Sequence, residues 1–229
     1  MADSLRSEAM EPLFRISCEP PLGTNFGYFI PADDAYERVK VCDGDCPFGA
    51  YGLIRRDPYR VEWTGGPIGD FCSAIGHMVA RVEVCQELED RFDGFECRPI
   101  EVVEPKGPRG QKLQQLFREI CPLVHHDEAP ERSTLLIKNR CERCGRKRTT
   151  LEGVEMLPSE EKIGDRWYPT PRKPRSPGMG VLLTSDEMQG AQIVRAGFLL
   201  CTQPVRDWII ERGFSNVSFL EYGEIIEGP

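Results

Sequence analysis

Cys141-Glu-Arg-Cys144-Gly145 is the stretch around which the chain is organised. Two cysteines two residues apart, followed by glycine, make half of a tetrahedral metal site. The thiolates grip one ion, and glycine lets the backbone take φ > 0 so that nearby N–H groups can point at the sulfurs. One such turn supplies only two ligands. Far upstream, Cys42-Asp-Gly-Asp-Cys46-Pro-Phe-Gly49 is one residue wider and offers a second pair. If Cys42, Cys46, Cys141 and Cys144 share one structural Zn2+, the metal staples the front of the chain to its middle. The long gap is no obstacle, because loop-closure cost rises only logarithmically with length. A local alternative pairs Cys121-x3-His125 with Cys141 and Cys144, at an internal spacing of 15 residues that resembles ordinary zinc ribbons. In a third reading no metal binds and the cysteines simply pack.

With 229 residues, 40% hydrophobic and 29% charged, the chain can bury a substantial core in one large or two small domains. No apolar run reaches the 18 residues of a membrane span, and acids stand where a signal peptide needs an apolar stretch. A cytoplasmic location is therefore expected. In that compartment ten cysteines are not a disulfide framework. Cys18, Cys72, Cys85, Cys97 and Cys201 lack a second cysteine at ligand spacing and read as small buried hydrophobes. The net charge of −8, from 37 acids and 29 bases, disfavours nucleic acid and favours basic partners.

The chain divides into an N-terminal segment (1–37), a first knuckle half (38–105), a connecting helix and loop (106–132) and a second half (133–229). Tyr36–Val41 leads into the first cysteine pair and Gly49–Ile54 leads away, as in a metal turn capping a β-hairpin. Cys85, Leu88 and Phe92 share one face of a helix expected over Val82–Phe92, with Gly94 as its stop. Phe95–Val103 reads as a strand that Pro99 places at an edge or a bulge. Leu113, Leu116, Phe117 and Ile120 predict a helix over Gln111–Ile120. Thr134–Ile137 and Arg146–Val154 flank the second turn as strands. Five prolines between 157 and 180 suggest a long loop packed by Trp167 and Tyr168, inserted into the second half. Thr202 caps a final helix with Pro204 in its first turn, Val205, Trp208 and Ile209 on its buried stripe and Gly213 as its stop. Asn216–Ile226 is the last strand.

The halves repeat: cysteine pair, returning strand, an apolar stretch around Gly76 or Gly197, a helix stopped by glycine, and a strand. The expected fold is thus α+β, with two related zinc-ribbon-like halves. Each has a β-hairpin around a cysteine knuckle plus a helix and strand, and they share one structural zinc.

Catalytic signatures are missing: no Gly-x-Ser-x-Gly elbow, no phosphate-binding Gly-x4-Gly-Lys-[Ser/Thr] loop, no His-Glu-x-x-His. His77, in an apolar run, reads as a satisfied core residue, and His125-His126 as an exposed pair. Arg146-Lys-Arg148 and Arg172-Lys-Pro-Arg175 could touch phosphate but suit solvated faces or internal partners better. No catalytic residue is assigned.

Cys141-Glu-Arg-Cys-Gly145-Arg146, the upstream pair and Leu199-Leu-Cys-Thr-Gln-Pro-Val-Arg-Asp-Trp-Ile-Ile-Glu-Arg-Gly-Phe-Ser-Asn-Val217 together resemble the bacterial double-CXXCG-motif family, abundant in myxobacteria. The resemblance runs from about Val41 onward. The second motif matches in full. The first departs, with three residues between Cys42 and Cys46 and Gly49 three positions later. Some members of that family are named as immunity proteins. The resemblance implies a protein that neutralises a cognate toxin, one with a basic face, by direct binding. The alternatives are a nucleic-acid-binding or regulatory zinc-ribbon protein and a zinc-dependent enzyme. If zinc is the staple, its loss is expected to unfold much of the chain.

Overall fold

In Tyr59–Trp63 every second side chain is buried, the period-2 pattern of a strand with one face on a core. That pattern, more than helical periodicity, builds the protein. The computed structural model describes residues 11–18, 26–126, 133, 135–151, 160–163, 166–169 and 180–227. It is mixed α+β, mostly strands, with four helices among the described residues.

The chain opens with β1 (Glu11–Ser17), β2 (Phe29–Pro31), β3 (Tyr36–Lys40), β4 (Tyr51–Arg55) and β5 (Tyr59–Trp63). It continues with β6 (Phe71–Ser73), β7 (Met78–Arg81), α1 (Val82–Glu89), β8 (Phe95–Glu104), α2 (Pro108–Leu116), β9 (Phe117–Pro122) and β10 (His125–His126). Next come β11 (Leu135–Arg140), β12 (Lys147–Leu151), β13 (Glu160–Ile163), β14 (Arg166–Pro169), β15 (Val181–Thr184) and α3 (Ser185–Met188). Last are β16 (Ile193–Ala196), β17 (Phe198–Thr202), α4 (Gln203–Glu211) and β18 (Ser218–Ile226).

Two six-stranded sheets result, in the orders β2-β5-β8-β9-β7-β6 and β10-β16-β17-β1-β18-β15. Five positions correspond. In each sheet a tight hairpin (β6–β7 or β16–β17) is followed by an inner antiparallel strand, then by a long strand, then by a parallel neighbour. The hairpins turn at Gly76 and Gly197, with φ of +79° and +73°, a region that favours glycine. A helix leaves the second hairpin strand directly in both. Both inner strands lie outside the two halves drawn from sequence, β1 in the N-terminal segment and β9 in the connecting segment. β1 precedes the first cysteine pair but completes the sheet of the second. β9 precedes the second pair and completes the sheet of the first. Their placement matches: Leu13 faces Thr202, the residue before α4, and Phe117 faces Arg81, the residue before α1.

One core is shared by both sheets. Ile16 of β1 and Ile120 of β9 meet there with Leu88 of α1 and with Trp208 and Ile209 of α4. Phe92 and Phe214 contact the Trp208 ring edge-on at 5.5 and 5.4 Å. Separate cores lie around Tyr59 and Phe117 and around Leu183 and Tyr222. Among the described residues no helix is long and apolar enough to cross a membrane.

The sequence-based expectations differ from the structure in several places, the first being that the helix expected over Val82–Phe92 ends at Glu89. The helix expected to Ile120 stops at Leu116, and Phe117–Pro122 is the inner strand β9. A short apolar run fits either period, and here the open edges of β7 and β8 decide in favour of strand. β8 is an interior strand despite Pro99, because its two pairings hand over at that residue. Phe95 to Pro99 pair with β9, and Ile100 to Glu104 pair with β5. No ladder bond is asked of the missing N–H. The proline-rich stretch contains a hairpin, β13–β14, and its remaining residues between 157 and 179 lie outside the described residues. The final helix starts after Thr202 as expected. Thr202 is extended, but its side chain makes no capping bond.

A chain beginning at Cys18 lacks β1 and leaves β17 and β18 unpaired along their facing edges. It is expected to lose the cooperative thermal transition in circular dichroism. Ile210→Ala, on the 53% exposed face of α4, should leave that transition in place. A truncated chain melting like the full one would show β1 to be dispensable. Ile16→Ala and Ile120→Ala should each cost about 2–5 kcal/mol in denaturant unfolding.

Candidate metal centre

Each cysteine pair sits in the turn of a two-stranded hairpin outside the two large sheets: Cys42 and Cys46 between β3 and β4, Cys141 and Cys144 between β11 and β12. In the second turn Gly145 has φ of +73°, its N–H donates to the Cys141 carbonyl at 2.9 Å, and the Cys141 N–H donates to the Arg146 carbonyl at 2.7 Å. The first turn is wider and closes through other bonds, from Cys46 N–H to Gly44 O and from Gly49 N–H to Cys46 O, both at 2.8 Å.

The two turns meet. The sulfurs of Cys42 and Cys141 are 4.0 Å apart and those of Cys46 and Cys144 are 3.9 Å apart. All four sulfurs lie within 4.8 Å of one another. Four sulfurs at ~2.3 Å from a tetrahedral ion stand about 3.8 Å from each other, so this cluster could hold one metal ion with little movement. Among the described residues no other group of three or more His, Cys, Asp or Glu side chains converges this way.

Arg146 locks the arrangement. From the second turn it donates through Nε to Cys144 Sγ at 3.4 Å and through Nη2 to Cys46 Sγ at 3.1 Å. It also reaches the carbonyls of Tyr51, at 3.2 Å, and Gly49. Arg143 crosses as well, donating to Asp43 O at 3.0 Å. A Cβ on Gly44 would lie 2.3 Å from Arg143 Nη1, so glycine there leaves the space the guanidinium uses.

The thiols titrate unequally. Arg146, through side chain and backbone N–H, draws the Cys144 thiol down to about 6. The backbone N–H groups of Cys144 and Arg143 lower Cys141. Burial and the neighbouring sulfurs of Cys144 and Cys141 push Cys42 up to about 12. The donors present thus favour thiolate at Cys141 and Cys144, and a cation among the sulfurs would extend that to Cys42.

Cys121 and His125, the local alternative, are not part of this cluster. Cys121 is buried on β9, where burial and the adjacent Glu119 push its thiol up to about 12. His125 Nε2 is 2.5 Å from Pro122 O. His77 is satisfied, as expected, with its Nδ1 2.7 Å from Glu119 Oε1, but it is half-buried beside a cavity and not in the core. Sequence reasoning missed the roles of Arg143 and Arg146. The only signal was that a basic run directly follows the motif. Residues 172–175 lie outside the described residues.

Comparison with family models, with curated proteins and with solved structures finds no match to this chain.

Elemental analysis should find one ion per chain in wild type and in Cys121→Ser, and none in Cys42→Ser or Cys141→Ser. Metal lost with Cys121 and kept without Cys42 would refute the four-cysteine centre. Arg146→Ala should keep the ion but yield it to a chelator about 10–100-fold more readily.

Proposed function

We propose that this chain is a zinc-stapled binding protein of the immunity type, built from two zinc-ribbon-like halves, that neutralises a partner toxin by direct contact. The metal reading rests on the ligand set. Four thiolates favour zinc or iron over hard cations, and a lone ion in an all-cysteine site closed on every side has a structural role, with no position left for substrate. The same closure argues against a zinc-dependent enzyme.

The observation that carries the binding reading is a set of exposed apolar side chains on the metal-bearing hairpin. Val41, Tyr51, Leu53 and Ile54 are four of the eight exposed large hydrophobics among the described residues, and strand alternation puts Tyr51 and Leu53 on one face of β3–β4 and Val41 and Ile54 on the other. Tyr51 and Leu53 share a face with Arg38 and Lys40 opposite them, and the Arg38 guanidinium stacks 4.6 Å from the Tyr51 ring. An aromatic and an arginine around an apolar centre are typical of binding hot spots. Asp43 and Asp45 are exposed in the adjoining turn, and the overall charge of −8 would steer a basic partner toward the protein. The nucleic-acid reading draws less support. Arg146, the first residue of the basic run, is occupied by sulfurs and carbonyls within the centre.

Expression of each reading frame flanking the gene, alone and with this chain, tests the proposal. One neighbour is expected to arrest growth alone and to be silenced by co-expression. Leu53→Asp should abolish that rescue, at a loss of about 2 kcal/mol or more in the complex, while leaving one zinc per chain. A neighbourhood containing no frame that this chain rescues would sink the immunity reading, and iron in place of zinc would overturn the metal assignment.

A further inference from the structure

The most buried carboxylate among the described residues is Glu119, on the inner strand β9. Its side chain is 2% exposed, and both oxygens are engaged. Oε2 accepts from Arg55 Nη1 at 2.8 Å, and Oε1 lies 2.7 Å from His77 Nδ1. With a carboxylate at Nδ1, the proton belongs on that nitrogen. His77 Nε2 has no hydrogen-bond partner among the described residues.

A cavity of about 160 Å³ lies against this group, walled by Arg55, His77, Arg98, Glu119, His125 and Arg195. The wall is drawn from both sheets and from the metal hairpin. Three guanidiniums face a single carboxylate. Arg55 is balanced by Glu119, and Arg98 by Glu96 and Asp57 at the rim. Arg195 is not balanced: it donates to the Gly76 carbonyl, and no carboxylate of the described residues lies within ion-pair distance. A buried pair kept only for stability needs neither the open space nor the further cations, since interiors close around such pairs at high packing density. Space walled by guanidinium and imidazole is filled by water or by an anion.

A second cavity, of about 170 Å³, shares His77, Ile120 and Arg195 with the first and continues along apolar Ile16, Met78 and Phe198. Each cavity alone is smaller than the ~300 Å³ typical of a drug-sized ligand's site, which suits a small anion.

We infer that the cationic cavity at the junction of the two sheets binds a phosphate-type oxyanion, with Arg195 and Arg98 as its donors. Arginine forks suit a phosphate group. The second cavity is placed to take the uncharged body of a phosphate ester. Glu119 orients His77 and Arg55 and repels an anion from the floor, which leaves the position near Arg195 as the place for the charge.

Isothermal titration of the purified, metal-loaded full chain with inorganic phosphate and with phenyl phosphate tests this. One saturable site is expected, weakened at least tenfold by Arg195→Gln and by Arg98→Gln, and unchanged by Arg38→Gln on the hairpin face. Circular dichroism and metal content establish that each variant is folded. Tighter binding of phenyl phosphate supports use of the second cavity, and equal binding supports an inorganic anion as the ligand of the same donors. No saturable heat with either probe, or binding untouched by both arginine changes in folded protein, would overturn the inference.

Discussion

The crossing of β1, from the front of the chain into the sheet built from its rear, is the constraint on which this architecture depends. β1 lies between the hairpin strand β17 and the long strand β18 of the rear of the chain, whereas β9 lies between β7 and β8, which precede it in one continuous stretch. The second sheet is therefore incomplete without the front of the chain, and the shared core around Ile16, Ile120, Leu88 and Trp208 joins the two sheets. The contacts involved are far apart in sequence. Leu13 pairs with Thr202, and Ser17 with Ser218. Such long-range pairing carries a loop-closure cost before it returns any burial. The Asp70 carboxylate adds a polar tie between the halves, accepting from Ser215 N–H at 2.8 Å and from its hydroxyl at 2.7 Å.

The cysteine centre is a second tie along the chain, separate from the pairing of β1. Read from sequence, the ion is the staple without which much of the chain unfolds. In the structure both cysteine turns project from the sheets, and the three hydrophobic cores contain none of the four cysteines. The pairing of β1 with β17 and β18 ties the front of the chain to its rear. The cysteine cluster fixes two hairpins that have little core of their own, as expected for small two-stranded units.

Legibility followed the range of the interaction. The cysteine spacing, the start of α1 at Val82 and the buried stripe of α4 are local patterns, and each could be read from a few neighbouring residues. β9 could not, because Leu113, Leu116, Phe117 and Ile120 suit a helix until the open edges of β7 and β8 are known. Pro99 misled for the same reason: the rule about proline concerns a hydrogen bond, and the hand-over between β5 and β9 removes the need for it. The likeness of the two inner strands left one faint trace. Leu13-Phe-Arg15 and Leu116-Phe-Arg118 repeat three residues, each with a cysteine three positions on, but the sequence match is one residue out of step with the strand register. Of the candidate centre, the sulfurs were legible and the guanidiniums were not. Nothing in the local sequence distinguishes an arginine that clamps a thiolate from one that faces water.

The hairpin β3–β4 gathers these constraints. At its turn, Arg146 and the cysteine cluster hold it to the second hairpin. At its root, Arg55 reaches Glu119 at 2.8 Å and Tyr36 contacts Tyr59 edge-on at 6.2 Å. Arginine suits both anchors, because one planar group can satisfy two sulfurs and two carbonyls at one end and stack on Tyr59 while pairing with a carboxylate at the other. The root anchor is also hard to release, since withdrawing Arg55 would strip a buried carboxylate of a partner. A hairpin fixed at both ends presents Tyr51 and Leu53 in one geometry. A partner docking there would have little ordering cost to overcome, which is the advantage of a preorganised surface. The same Arg55 forms one wall of the cationic cavity, so the hairpin's root and the cavity share a single guanidinium. Around Glu119, at the root of this hairpin, residues from both sheets line the cavity with it.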